Sequence, residues 1–531
     1  MAIVDMTIKH NKDPVTIEIG NVYSKIVDRL PVIVTEALDD ALSFYVEGYQ
    51  FSPAFKRGFW DVKEQKYKHW DGRKHLLYSG VGFNTGLLER VVEVLSTFGI
   101  KVVIVDKRKP VPYGKEIKYK GPELREYQVR ALQAFLDKQS GIEKLCTGAG
   151  KTHLLSAILC KTNVHTMVFV PSLDLLYQTK EVIEVDLGKE IGIIGDGLCD
   201  IRSITISTIW SAANAMSKKA LRFDEDDYGR KEKFQTKDKQ RIAEAIGKME
   251  MQVVDECHQT SCASLQAISN AAKNCRYRVG LSGTPNKFTG EDLLIEGVFG
   301  RKIIDIPASE LIEKGFLVKP TIHFVEIQES NEDLGNNYQG IYKKFIVENE
   351  VRNDRIIEMA NKLKAAGRKT LILVKNIKHG ESLMEKFDPG TVVYFVRGEL
   401  DSDERNRIRN DFVKGKIDVI VASAVYDQGI DIANLDALIL AGSGKSSGRA
   451  LQRIGRVIRP AKDKKNAIVI DFIDNAKYLY NHSLKRMDVY KLEEGFEIKL
   501  PKDFNEGDYA AAKEKKKVRM PKKSGGSEVP W

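Results

Sequence analysis

An apolar run, Ile142 to Cys146, empties into Thr147-Gly148-Ala149-Gly150-Lys151-Thr152 and then into the helical stretch His153 to Cys160. No other feature constrains the fold as tightly, because a strand, a glycine-rich turn and a helix in immediate succession belong to an open parallel α/β sheet. Only backbone without Cβ atoms wraps closely enough to aim successive N–H groups at phosphate oxygens, and Gly148 and Gly150 supply it. Lys151 adds a point charge, Thr152 a hydroxyl for Mg²⁺, and the helix its positive end. The strict pattern asks for glycine where this chain carries Leu145.

A second motif completes the chemistry. About a hundred residues on, the apolar strand at Val253-Val254 delivers Asp255-Glu256-Cys257-His258 at its end, where open α/β sheets place their ligands. Asp255 suits the metal side and Glu256 suits a base or water-positioner, so the pair points to nucleoside triphosphate hydrolysis with ATP and Mg²⁺.

Short β-branched runs alternate with helical segments on both sides of these motifs. Ile142–Cys146, Thr166–Val170, Ser203–Thr208, Met251–Asp255 and Arg276–Ser282 read as strands of one sheet. Thr370–Val374, Thr391–Val396, Asp418–Ala422, Ala437–Leu440 and Ala467–Asp471 read as strands of another. Two parallel α/β domains follow, with Lys314 to Pro320 as a hinge between them or an ordinary loop within one larger domain. A length of 531 residues leaves room for further domains. The expected division is an N-terminal DNA-binding accessory domain over 1–115, motor domains over 116–316 (ATP-binding) and 317–500, and a basic disordered tail over 501–531.

Net charge +10 points to a polyanionic partner or to a merely well-solvated surface. Cys146, Cys160, Cys199, Cys257, Cys262 and Cys275 lack C-x-x-C spacing, which argues against zinc and against a secreted disulfide framework. The N-terminus lacks the pattern of a signal peptide, and no run reaches the roughly 18–20 apolar residues of a membrane span. A cytoplasmic protein without membrane partners is the expectation. Residues 216–250 read as a charged insert, helical near Arg241–Ile246, and residues 51–78 interleave aromatics with bases. That second segment is either a nucleic-acid surface or a small β-domain with its own aromatic core and a basic rim.

Further segments recur in a fixed order. Leu124-Arg125-Glu126-Tyr127-Gln128 precedes the phosphate loop; Val170-Pro171-Ser172-Leu173 and Ile206-Ser207-Thr208 lie between the two motifs; Leu281-Ser282-Gly283-Thr284-Pro285 follows the acidic pair. Ala422-Ser423, Asp427-Gln428-Gly429-Ile430-Asp431 and Gln452-Arg453-Ile454-Gly455-Arg456-Val457-Ile458-Arg459-Pro460 come later. Over roughly residues 118–475 this series resembles the superfamily 2 helicases. Tyr67-Lys68-His69-Trp70-Asp71-Gly72-Arg73 and Gly82-Phe83-Asn84-Thr85-Gly86-Leu87-Leu88 look like the small domain ahead of the motor in bacteriophage UvsW-type branched-DNA helicases.

The resemblance implies two tandem RecA-like domains preceded by a small α+β domain. It implies that Arg125 and Gln128 read adenine, that Thr147 to Thr152 hold phosphates, and that Asp427, Gly429 and Gln452 complete the ATP site. Arg456 and Arg459 would act as arginine fingers, since a forked, permanently charged guanidinium suits a γ-phosphate; an amphipathic helix with solvated arginines is the plainer reading. Pro171, Ser172, Thr208, His258, Ser282, Thr284 and Ser423 would contact DNA or couple it to hydrolysis, although hydroxyls beside glycine and proline commonly serve as caps. Leu145, Cys257 and Gln452 depart from the RNA-directed DEAD-box type and fit DNA-directed relatives. The implied activity is ATP-dependent remodelling of forks, four-way junctions and D- or R-loops, with RNA met in the latter, in recombination, repair or replication. Such contacts are largely sequence-independent, and a phage origin would place them in the host-cell cytoplasm. A double-strand translocase, an RNA helicase and a non-catalytic ATP-switched clamp are the alternatives.

Overall fold

The computed structural model describes residues 14–61, 65–216, 234–258, 263–283, 290–327, 337–397, 402–423, 435–442, 444, 447–461, 464, 466–502 and 504. The chain forms two compact units, Met1–Pro307 and Ala308–Trp531.

The first unit holds a small sheet and a large one. Strands Val15–Ile19, Tyr23–Ile26, Leu77–Tyr78, Gly82–Asn84 and Val102–Asp106 form the small sheet. Val15–Ile19 buries alternate residues, as a strand with one covered face does, and helices Val32–Ala41 and Leu88–Thr97 cover that face with Leu38, Val91 and Leu95. Leu293 and Leu294, from helix Asp292–Phe299 of the large sheet's layer, complete the same core. The two parts meet along a tight seam. A Cβ on Gly86 would stand 2.0 Å from the Glu296 carbonyl oxygen, so only glycine lets the backbones approach this closely. Arg90 donates to both Glu296 oxygens at 3.1 and 2.6 Å, and Arg301 pairs with Glu93.

Eight described strands make the large sheet, in the order Leu198–Asp200, Gly192–Gly195, Ile204–Thr208, Thr166–Val170, Met251–Asp255, Tyr277–Ser282, Ser140–Leu145, Lys302–Ile306. All neighbours run parallel except Leu198–Asp200 with Gly192–Gly195. Thr166–Val170, Ile204–Thr208 and Tyr277–Ser282 are buried at every residue, because helices cover both faces and each β-branched side chain finds a core on its own side. Three strands, the edge strands Leu198–Asp200 and Lys302–Ile306 and the next-to-edge Gly192–Gly195, were not expected from sequence. They are short and poor in continuous apolar character, and their pairing is decided by neighbours distant in the chain. Parallel register places Lys144 beside Ser282, Asp255 beside Leu281, and Val170 beside Thr208. The phosphate loop, the acidic pair, Pro171–Ser172, Thr208 and Ser282 therefore share one edge of the sheet.

The second unit is a parallel sheet of seven described strands, in the order Val393–Val396, Val419–Ser423, Thr370–Val374, Ala437–Ile439, Ala467–Asp474, Pro320–Ile327, Glu497–Lys499. Segment 314–320 lies inside this unit, with Leu317 and Val318 buried and the Val318 amide donating to the Ile458 carbonyl at 2.8 Å. The strand expected from Thr391 begins at Val393, since the Thr391 amide closes a turn on the Asp388 carbonyl. Two fully buried ion pairs, Arg352–Asp474 at 2.7 Å and Arg486–Asp471 at 2.8 Å, tie helices to the long central strand. Among the described residues no helix is long and apolar enough to cross a membrane.

Candidate active site

Helix Lys151–Thr162 starts directly on the glycine-rich loop. Gly148 and Gly150 sit at φ +89° and +73°, a region that disfavours every residue with a Cβ. The first-turn amides of this helix have no intrahelical acceptor and so form a ready anion cradle. What shapes the cradle lies behind it. The buried Gln128 amide donates to the carbonyls of Ala149 and Gly150 at 3.2 and 3.1 Å and accepts from the Arg125 amide at 2.9 Å. The Tyr127 hydroxyl donates to the Ala149 carbonyl at 2.9 Å and meets the Arg125 guanidinium at 3.1 Å. These bonds turn the loop's carbonyls backward. Gln128 thus holds the loop through its Nε2, and its Oε1 has a second lone pair for the adenine that the family resemblance assigns to it.

Across the loop stands the acidic pair. Lys151 Nζ lies 3.2 Å from Glu256 Oε1, both side chains being largely buried. Glu256 Oε2 is 3.4 Å from His258 Nδ1 and accepts from the Ser282 hydroxyl at 3.4 Å; Ser282 and His258 are 3.2 Å apart. Glu256 adopts φ +54°, and a glutamate held left-handed costs about 1–3 kcal/mol, which the surrounding bonds must offset. Burial opposes its charge, yet Lys151 and His258 outweigh that and hold the carboxyl below the usual carboxylate range. Asp255 behaves oppositely: burial, and then the charge on Glu256, push it up to about 6. A carboxylate so disfavoured when bare, beside a lysine and a hydroxyl-bearing helix start, fits a divalent cation, which would supply the missing positive charge. Cys257 is buried against Gly280, where a Cβ would come within 2.8 Å of the cysteine Cβ. Glycine at 280 is what leaves room for a side chain at 257.

Thr147 faces Gly283, where a Cβ would lie 3.1 Å from the threonine hydroxyl, and Thr152 is the second residue of the loop helix. Pro171 is buried, and Ser172 caps helix Leu173–Leu187 by accepting from the Leu175 amide at 3.4 Å. Thr208 is buried, caps the Ser211 amide at 3.0 Å and meets the Ser211 hydroxyl at 2.6 Å. Here Ser172 and Thr208 serve as caps. Ser282 is fully buried, and Ser423 ends strand Val419–Ser423, also buried. Thr284, Asp427 and Gly429 lie outside the described residues, as do residues 217–233 of the charged insert and 505–531 of the tail. Gln452 and Arg456 belong to helix Ser447–Val457, with only their backbone described, and Arg459 follows its end. Lys464, which carried no signal in the sequence, donates to the carbonyls of Val457, Leu435 and Arg459, the last at 3.1 Å. Burial pushes its ammonium down to about 8.

Residues 121–287 match the family described as type III restriction enzyme, res subunit, and residues 352–461 match the helicase conserved C-terminal domain. Together these models span the phosphate loop, the acidic pair and the arginine-bearing helix in their expected order. The chain carries helicase domains. Among its superfamily 2 relatives is the ATP-dependent DNA helicase uvsW of Enterobacteria phage T4, 27% identical over 491 residues, covering 85% of this chain and 92% of the relative. The DNA 3'-5' translocase XPB2 of Sulfurisphaera tokodaii is 28% identical over 404 residues, 69% of this chain and 85% of its own. A solved structure of T4 UvsW aligns over 92% of this chain and 99% of its own at 23% identity, with a TM-score of 0.42.

Proposed function

We propose that this superfamily 2 enzyme is a DNA-stimulated ATPase that unwinds or remodels branched DNA. The observation that carries the ATPase reading is the cluster Lys151–Glu256–His258–Ser282, four side chains from three strand ends within hydrogen-bond reach. Lys151 neutralises the phosphates, and Thr152 with Asp255 would hold Mg²⁺, whose chemistry is to balance charge on the phosphate oxygens. Glu256, kept ionised by Lys151 and His258, accepts a proton from the attacking water. By the family resemblance, Arg456 and Arg459 would supply transition-state charge. Ser282 and His258 touch the same carboxylate, so a shift of either changes the base's hydrogen bonding. That provides a physical link from the strand-end loops to hydrolysis. Beyond the Arg125 amide, the second lone pair of Gln128 Oε1 could accept from an adenine amino group while its Nε2 keeps both loop carbonyls.

Branched DNA as substrate is supported by the similarity to the T4 helicase, which extends over most of both chains. The XPB2 relative, named a translocase, favours a second reading: movement along duplex without strand separation. ATPase stimulation measured across single-stranded, duplex, forked, four-way and RNA–DNA substrates tests the class. Fork unwinding beside triplex displacement separates the two readings. In all of these, Glu256→Gln is expected to lower phosphate release about 10²–10⁴-fold while ATP still binds; unchanged release would remove Glu256 from its role.

A further inference from the structure

The aromatic and basic segment ahead of the motor has a specific architecture. Residues 55–74 carry seven lysines and arginines against three acids, with Phe55, Phe59, Trp60, Tyr67 and Trp70 among them. Some rings pack together: Tyr49 meets Phe55 at 4.9 Å and Tyr45 at 5.1 Å between centroids, and the Trp70 indole N–H donates to the Arg73 carbonyl at 2.7 Å. Others stand in solvent. Strands Phe59–Asp61 and Lys66–Lys68 pair antiparallel, with Trp60 directly opposite Tyr67. A directly opposed pair projects from the same face, and these two rings are 58% and 59% exposed. Phe59 and Lys68 form the neighbouring pair on the other face, with Phe59 also exposed.

Tyr67 is held in place from behind. The Tyr67 hydroxyl donates to the Arg57 carbonyl at 2.5 Å, and its ring lies over Gly58, where a Cβ would come within 2.6 Å of it. Gly58 itself takes φ +74°. An aromatic face fixed on one side by backbone and open on the other is prepared to receive a flat partner. Lysines and arginines around it select a polyanionic one. A folded protein surface offers no row of flat rings threaded by phosphates, whereas unpaired bases do.

We infer that the Trp60–Tyr67 face is a stacking platform for unpaired DNA bases at the branch point of the substrate, with the neighbouring cations on the backbone phosphates. The inference rests on the function proposed above, and it assigns to this hairpin the discrimination between branched DNA and plain duplex. Paired bases inside a duplex present no open face to a ring, so the platform engages only where strands part.

Equilibrium binding of the full-length protein to a forked duplex and to a blunt duplex of the same sequence tests this, at fixed salt. Trp60→Ala is expected to weaken fork binding about tenfold or more while blunt-duplex binding stays unchanged, since stacking contributes on that scale per base. Trp60→Phe, which keeps a ring, should restore most of the loss. Lys74→Ala should weaken both substrates alike and flatten the salt dependence. Unchanged fork binding in Trp60→Ala, equal loss on both substrates, or failure of phenylalanine to rescue would each overturn the platform. Wild-type ATPase stimulation by blunt duplex is measured on the same preparations. If it is present while the Trp60 variants show no selective defect, the helicase reading stands and the platform alone falls.

Discussion

Glu143 occupies the strand that feeds the phosphate loop, fully buried, and neither of its carboxylate oxygens has a hydrogen-bond partner. Burial alone pushes its carboxyl from an ordinary 4.5 up to about 8. The sign follows from linkage. The folded state prefers the protonated acid, so stability is whole below pH 4.5 and is lost as pH rises toward 8. Weighing the two titrations gives a loss of about 1 kcal/mol at pH 5, about 3 kcal/mol at pH 7 and about 5 kcal/mol above the folded value. Glu143→Gln keeps the shape and removes the titration. It should therefore be more stable than wild type by an amount that grows with pH, close to nothing at pH 4.5 and about 3 kcal/mol at pH 7. Denaturant unfolding followed by tryptophan fluorescence suits the measurement, because Trp60, Trp70 and Trp210 all lie in the first unit. A gap between the two proteins that stays constant from acid to neutral pH would refute the reasoning, as would a wild type that is the more stable at pH 7.

Asp255, raised to about 6, must lose its proton to accept a cation. Mg²⁺–ATP affinity should fall about tenfold per pH unit below that value, and calorimetry in buffers of differing ionisation heat should detect proton release near pH 6 that vanishes by pH 8. Tyr127→Phe removes one of the bonds that turn the Ala149 carbonyl backward; ATP binding should weaken by about 1 kcal/mol, roughly fivefold, and GTP or tripolyphosphate equally, as fluorescence titration would show. A base-selective loss would contradict that loop-holding role. Gly86→Ala drives a methyl into the Glu296 carbonyl and should cost about 1–3 kcal/mol, read as protease sensitivity in the small sheet and helix Asp292–Phe299 together.

Strands Thr166–Val170, Met251–Asp255 and Thr370–Val374 were legible to the residue, because β-branched runs buried on both faces leave little choice of conformation. Pro320–Ile327 and Glu497–Lys499 were not, since a proline start and a three-residue strand give no periodic signal; partners far along the chain create them. The side chains of the cluster were equally legible: Lys151, Glu256, His258 and Ser282 were all named from motif and order, and they lie together. Orientation was not. That Tyr127 would hold the loop by its hydroxyl, that Glu256 would take a left-handed backbone, and that Lys464 would cap the arginine-bearing helix all depend on how elements pack. Cap and contact roles are likewise indistinguishable in sequence. Thr208 stands at the sheet edge where a strand contact was expected, yet its hydroxyl serves the next helix.

The seam between the small sheet and helix Asp292–Phe299 bears on heredity. Leu293 and Leu294 are core residues of a module whose strands lie two hundred positions earlier, and Gly86 and Arg90 fit one helix surface. A recombination event that replaced the first hundred residues with a foreign module would leave two leucines uncovered and Glu296 without the two-pronged contact of Arg90. Descent should therefore have carried the pieces as one inheritance, with substitutions at residues 86 and 90 tracked by substitutions at 293 to 301.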